Sequence, residues 1–323
     1  MNNKLLRYRS LLDKELTEAA DLMLRSIQAF PKTVREPVEI LIKGGGKRLR
    51  PALVFLSAHL CEAESDKVLS VAAAVEMLHT ATLVHDDLID RAETRRGQRT
   101  INNQLAPAAT VLAGDAIFAV AAKLAAQSHN SLLVERFAET LETICVGEIS
   151  QMVRDKTQPP SVETYFERIF AKTASLFALC TECGPLLTGC PLEDVQRSRR
   201  FGRLVGEAFQ ITDDVLDIVG NEAKLGKPIA TDLHQGLLTL PVLYYLESHP
   251  QDQRIQEALM NHLSKQHLTA LIADIKRSRA PYHAMEQAER RAREATQLLA
   301  QYPDSDTRKA LEEIASFAVT RRY

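Results

Sequence analysis

Apolar residues recur at three- and four-residue spacing through most of the chain, and runs that alternate apolar with polar are almost absent. That period predicts helices over Leu5–Ala29, Arg50–Cys61, Ser65–Arg91, Ala108–Gln127, Leu132–Arg154, Val162–Thr188, Val195–Val219, Leu237–Glu247, Arg254–His262, His267–Arg277, Pro281–Ala300 and Ser305–Thr320. Breakers fall between them: "GGGKRLRP", "TQPPS", "GCPLED", "LGKP", "SHPQ", "SRAP" and "YPDSD". The pattern predicts an all-α chain, a bundle of ten or more long helices, with no helical repeat of fixed period. Sparse Gly and Pro, 13 of each, and abundant Ala, Leu, Glu and Arg agree with it.

Nothing divides the 323 residues internally: there is no Gly/Ser linker, like-charge block or low-complexity run, so residues 1–323 read as one domain. A net charge of −2 argues against nucleic-acid binding through a basic surface. The start, "MNNKLLRYRSLLDKEL", mixes charge with apolar residues, unlike a signal peptide. No apolar run approaches the roughly 20 residues of a membrane helix, and the richest, "AIFAVAAKLAA", contains Lys123. The expectation is a soluble, cytoplasmic protein with no transmembrane segment and at most a loose membrane association through a lipid product. Five cysteines do not suggest a disulfide framework. Cys180 and Cys183 form a CxxC near Cys190, but without a second CxxC or a close histidine they read as small buried residues one turn apart.

Two acidic clusters change the picture. "HDDLID" at 85–90 is echoed by "TDDVLD" at 212–217, and each follows a long apolar helical stretch. Positions i and i+4 share a helix face, which pairs Asp86 with Asp90 and Asp213 with Asp217. Like charges at that spacing weaken a bare helix, and a cation held by both carboxylates removes the penalty. Hard oxygen ligands in ones and twos, with room for water and phosphate, suit Mg²⁺. Two such helices facing each other would cage several ions and a polyphosphate. Basic residues fit the same chemistry. Arg95 and Arg96 can grip phosphate in two-pronged fashion. "GGGKRLRP" places Lys47, Arg48 and Arg50 on a side-chain-poor turn entering a helix, a setting for an anion. Lys172 stands in "AKTASLF" and Lys227 in "LGKP". Counting back from Asp86 at about 100° per residue, Val75, His79 and Thr82 lie on nearly one face. A hydrogen-bonded core histidine accounts for His79 equally well, and His85, about 100° round the helix from Asp86, reads as structural.

The motifs "GGGKRLRP", "DDLIDRAETRRGQRT", "GDAIFA", "GEISQM", "KTASLF", "FQITDDVLD", "LGKPIATDL" and "TLPVLYY" resemble, in order and over nearly the whole chain, the trans-isoprenyl diphosphate synthases, most of all those making long-chain polyprenyl diphosphates. The resemblance implies an all-α isoprenoid synthase fold around a deep cavity, a homodimer, and Mg²⁺, three ions with diphosphate bound. It implies that Asp86, Asp90 and Asp213 bind Mg²⁺ directly and that Asp87, Asp214 and Asp217 support them, partly through water. Arg95, Lys172 and Lys227 would hold the allylic diphosphate. Lys47, Arg50, His79 and Arg96 would hold isopentenyl diphosphate, and Thr173 and Gln210 would sit near the developing carbocation. The implied reaction joins isopentenyl diphosphate head-to-tail to an allylic diphosphate such as farnesyl or geranylgeranyl diphosphate. One position departs: Leu237, in "DLHQGLLTLP", stands where relatives often have a lysine. The terminal Arg321 and Arg322 read as a frayed basic end.

In that family, bulk just before the first aspartate motif stops the growing tail. Here Ala81 and Thr82 are small and the motif has no insertion, which predicts a medium-to-long product, of geranylgeranyl length or beyond, with a long chain favoured. Leu78 and Val75 continue that lining one turn and two turns deeper. Chain length, primer, the cavity floor and downstream pathway stay open. A geranylgeranyl diphosphate synthase remains an alternative. A class I terpene cyclase would usually carry an N-D-x-x-S/T-x-x-x-E second motif and an aromatic pocket, whereas aromatics here are 5% with no Trp. A non-catalytic partner subunit would typically lose an acidic motif. A generic Mg²⁺ phosphohydrolase leaves the two basic sets unexplained.

Overall fold

The structure is a computed structural model that describes residues 6–63, 65–95, 97–155, 157–220, 229–260 and 262–320. Its helices are α1 (Leu6–Ser26), α2 (Lys32–Lys43), α3 (Leu49–Leu60), α4 (Ser65–Ile89), α5 (Pro107–Ala126), α6 (Ser131–Val153), α7 (Val162–Ile169), α8 (Ser175–Thr188), α9 (Leu192–Val219), α10 (Thr231–His234), α11 (Leu240–Ser248), α12 (Gln253–Leu259), α13 (Lys265–Arg277), α14 (Ala280–Leu298) and α15 (Asp306–Thr320). The all-α expectation holds, and most boundaries lie within a few residues of those read from the period. The residues form two compact units: residues 1–141, 176–199 and 302–311, and residues 142–175, 200–301 and 312–323. Helices α6, α8, α9 and α15 contribute residues to both.

The first unit is built on α3 and α4. Ala52, Leu53, Val54 and Leu56 are fully buried in α3, as are Val71 to Val75 in α4. A helix apolar on every side belongs inside a core. Close approaches are set by glycine: a Cβ on Gly184 of α8 would lie 2.4 Å from the Ser57 backbone of α3, and one on Gly114 of α5 would lie 2.1 Å from the His85 ring of α4. Cys180 and Cys183 are free thiols buried within this packing, as the spacing predicted, and burial pushes both thiols up. In the second unit α11 packs against α14, and Glu207 of α9 accepts from Arg203 and Arg291, each at 2.7 Å.

Four features differ from the sequence reading. Helix α2 forms despite Pro37, because Pro37, Val38 and Ile42 are buried and their packing offsets one missing backbone hydrogen bond. A short hairpin, β1 (Thr94–Arg95) with β2 (Gln98–Arg99), comes after α4, with Gly97 at φ +77°. The segment read as one helix over Val162–Thr188 is interrupted by a π-turn at Phe170–Ala174. Two helices, Asp66–Ile89 and Pro107–Ala126, reach mean hydropathies of 1.4 and 1.6 and are long enough to cross a membrane, contrary to the expectation that no run approached that length. The first is 72% buried inside the fold, as a core helix is, and the second 44%.

Candidate active site

The first acidic cluster ends α4. Arg91 takes a left-handed conformation (φ 52°), and the Ala92 N–H donates to the Asp87 carbonyl at 2.9 Å, closing the helix in a Schellman turn. The chain therefore reverses at once, and the hairpin carries Arg95 back over the helix end. Its Nε lies 2.9 and 3.0 Å from the two Asp87 oxygens and its Nη2 2.8 Å from Oδ1. Asp87 is buried, with both oxygens engaged by this guanidinium; Asp86 is half-buried and Asp90 exposed. The i, i+4 pair thus borders solvent while the middle aspartate anchors Arg95. His79 is half-buried two turns earlier, and its carbonyl accepts from the Thr82 hydroxyl at 2.8 Å. Val75, Leu78 and Ala81 are fully buried. His85 is structural as expected: it stacks obliquely on Phe118 at 5.4 Å and bonds the Val111 carbonyl at 3.2 Å.

The glycine-rich turn before α3 divides its cations. Arg48, at φ 51°, folds inward to pair with Glu76 at 3.0 Å and donates to the Ile42 carbonyl. Gly45 permits this, since a Cβ there would meet the Arg48 guanidinium at 2.3 Å. Arg48 therefore leaves the anion-binding set read from the sequence; its charge is satisfied inside the first unit. Lys47 stays half-buried, its carbonyl accepting from the Tyr8 hydroxyl at 2.6 Å, and Arg50 lies 5.1 Å over the Phe177 ring.

The second cluster lies on α9, in the second unit. Asp214 is buried and receives two donors: the Tyr165 hydroxyl at 2.8 Å on Oδ2 and the Gln210 amide at 2.8 Å on Oδ1. Gln210 in turn accepts from the Thr173 hydroxyl at 2.7 Å. Burial pushes the Asp214 carboxyl up to about 7, with the Asp232 charge adding to it. Asp213 is half-buried beside it. Asp217 is 8% exposed; its carbonyl accepts from the Ala230 N–H at 2.8 Å and its Oδ2 from the Asp232 N–H at 3.4 Å. Chain returning after residue 228 is thereby tied to the motif. Lys227 and Arg96 lie outside the described residues, as do Arg321 and Arg322.

The π-turn explains the setting of Lys172 and Thr173. One extra residue in a turn rotates the succeeding side chains by about 100°. Thr173 is buried against Gln210, while Lys172 reaches the Glu148 carboxylate of α6 at 2.8 Å. A Cβ on Gly147 would lie 2.5 Å from that of Ala171, so α6 and the π-turn touch there. Glu148 and Tyr165 are the residues that sequence reasoning left without a role. Glu148 stood inside the quoted "GEISQM" beside no obvious partner. Tyr165 carried no local signal, since Asp214 is 49 positions away.

The donor chemistry fits Mg²⁺. Among the described residues no group of three or more His, Cys, Asp or Glu side chains is placed to hold a metal alone. One or two carboxylates completed by water and phosphate oxygens are what Mg²⁺ accepts.

Comparison with known proteins supplies the family. The Polyprenyl synthetase profile matches residues 31–276, and the chain belongs to that family. It is 36% identical over 320 residues to heptaprenyl diphosphate synthase component 2 of Geobacillus stearothermophilus, covering 97% of this chain and 98% of that one. It is 33% identical over 283 residues to octaprenyl diphosphate synthase of Escherichia coli K12, covering 87% and 88%. Among solved structures, a polyprenyl synthase from Caulobacter crescentus CB15, complexed with calcium and isoprenyl diphosphate, superposes with a TM-score of 0.92 at 34% identity over 99% and 98% of the two chains. The chain is a prenyltransferase with the all-α isoprenoid synthase fold.

Proposed function

We propose that this enzyme condenses isopentenyl diphosphate head-to-tail onto an allylic diphosphate, farnesyl or geranylgeranyl diphosphate, and releases a medium-to-long-chain all-trans polyprenyl diphosphate. The observation that carries the reading is the pair of aspartate clusters whose middle members are held by protein donors, Asp87 by Arg95 and Asp214 by Tyr165 and Gln210; Asp86, Asp90 and Asp213 are the direct ligands in this reading. Mg²⁺, three ions with diphosphate present, supplies charge neutralisation of the leaving group when bound. Lys172, steered by Glu148, holds allylic diphosphate together with Arg95 and Lys227. Lys47, Arg50, His79 and Arg96 hold isopentenyl diphosphate. The Thr173 and Gln210 oxygens stabilise positive charge on the allylic carbons. The proton lost at the end passes to the departing diphosphate, so no dedicated base is required. Ala81 and Thr82 leave depth for a long tail.

The enzyme acts in the cytoplasm as a homodimer. Exposed Ile149, Met152 and Val153 on α6 supply an apolar patch suited to a second copy. The word "component" in the name of the Geobacillus relative supports a second reading, activity only with a different subunit.

Purified protein incubated with Mg²⁺, farnesyl diphosphate and labelled isopentenyl diphosphate is expected to give elongated products resolvable by chain length. No elongation from several allylic primers, with the protein dimeric by light scattering, refutes the reading for the chain alone. A cyclic hydrocarbon product points to a cyclase instead.

A further inference from the structure

A cavity of about 630 Å³ opens in the second unit between α6 and α7. That is within the size range of sites for small organic ligands. Val146, Pro160, Tyr165, Ala171 and Leu237 give it apolar walls. No aspartate, and none of Lys172, Thr173 and Gln210, lines it. Leu237, the residue that departs from the family pattern, contributes grease where a lysine would add charge.

Two guanidiniums share this apolar space. Arg154 donates to the Gln158 carbonyl at 3.4 Å and Arg168 to the Leu238 carbonyl at 3.2 Å. Glu142 and Glu167 also border the cavity and are exposed, but among the described residues neither arginine has a carboxylate within ion-pair distance. Burial and the Arg168 charge hold the Arg154 guanidinium below its usual pKa, with the neighbouring Asp155 charge opposing them. Gln151 lines the same space, and its Oε1 is buried with no hydrogen-bond partner. A half-turn of that amide presents two N–H donors at the same place. Two guanidiniums bonded only to backbone carbonyls, a spare amide and greasy walls are complementary to an anionic head on an apolar tail.

We propose that this cavity is a second, metal-independent binding site for a single-chain isoprenoid bearing a phosphate or diphosphate head, with Arg154, Arg168 and Gln151 on the head and Val146, Pro160 and Leu237 along the tail. The choice of an isoprenoid rests on the synthase function proposed for the aspartate clusters; the complementarity of charge and shape does not.

The test is equilibrium dialysis of the intact protein with radiolabelled farnesyl diphosphate in excess EDTA, where the aspartate clusters lack their metal. Saturable binding of one equivalent per chain is expected, retained in the Asp86→Asn/Asp213→Asn double variant. Arg154→Gln should weaken it at least about tenfold, as loss of a charge-assisted hydrogen bond does. Ser150→Trp, which fills the cavity from an exposed position, should do the same with an unchanged helical circular dichroism spectrum. Farnesyl monophosphate should displace the label, whereas farnesol and inorganic diphosphate alone should not. No binding in EDTA, binding indifferent to Arg154→Gln, or full displacement by inorganic diphosphate alone each overturns the proposal. Elongation assayed separately with Mg²⁺ keeps the two readings apart. Metal-independent binding without elongation sinks only the synthase reading, and elongation without EDTA-resistant binding sinks only the second site.

Discussion

Replacing Tyr165 by Phe tests whether the second aspartate cluster depends on its buried support. The substitution removes one oxygen from a ring that is 1% exposed and leaves its neighbours in place, with Phe166 at 5.3 Å and the Arg168 guanidinium at 5.2 Å. The 2.8 Å bond to Asp214 Oδ2 disappears. Gln210 still donates to the other oxygen, but one lone-pair face of a buried carboxylate is orphaned. A hydrogen bond to a charged group contributes about 1.5–3 kcal/mol. If that loss is felt only when Asp213 must be held against bound metal and diphosphate, the rate falls about ten- to a hundredfold. The assay is steady-state elongation across a Mg²⁺ titration, paired with a thermal melt. The expected result is a lower kcat and a higher Mg²⁺ requirement with the KM for isopentenyl diphosphate unchanged, because Tyr165 touches Asp214 and lies within the second unit. A variant that melts earlier yet keeps wild-type kcat and Mg²⁺ dependence refutes the reasoning, since Tyr165 would then serve stability alone.

Asp214 makes a pH prediction in metal-free protein. Its folded pKa is raised to about 7 from the ordinary aspartate value of 3.8, so the folded state favours the protonated form and stability falls as pH rises from about 4 through about 7. Asp214→Asn mimics the protonated form: melts in EDTA should match wild type near pH 4 and exceed it at pH 8, and equal differences at both pH values would contradict the assignment. Glu148→Gln should raise the KM for the allylic substrate severalfold by loosening Lys172, with the isopentenyl KM constant, as steady-state kinetics would read. Arg48→Ala leaves Glu76 buried without its cation and should cost about 3–5 kcal/mol in urea unfolding, while kcat of the folded fraction stays the same. Ala81→Phe should shorten the product distribution on reversed-phase chromatography, at about 1–3 kcal/mol of overpacking cost; an unmoved distribution would remove Ala81 from the account of chain length.

Much of the fold was legible because helix signals are local. The three- and four-residue period locates α4, α5, α6 and α9 within a few residues, and the D-D-x-x-D spacing alone places Asp86 with Asp90 and Asp213 with Asp217 on shared faces. The exceptions arise from competing effects. Pro37 argues against α2 locally, and burial of Pro37, Val38 and Ile42 overrides it. The hairpin of β1 and β2 is too short to show an alternating period. The π-turn is one inserted residue inside an unbroken helical pattern, which no periodicity can register.

The sequence by itself determined the helical class, the family, the spacing of the two aspartate clusters and the small residues before the first, because each of these is written in neighbours a few positions apart. Only the tertiary structure decided which charges are spent internally and which face solvent. Arg48 and Arg50 look alike on paper, two positions apart, yet one closes on Glu76 and the other lies over Phe177. Asp86 and Asp87 are adjacent, yet Arg95 grips the second. Tyr165 became part of the site, and Leu237 part of an apolar wall, through contacts across tens of residues. Whether a polar group is free for chemistry depends on what desolvates and pairs it, and those partners are set by packing rather than by order along the chain.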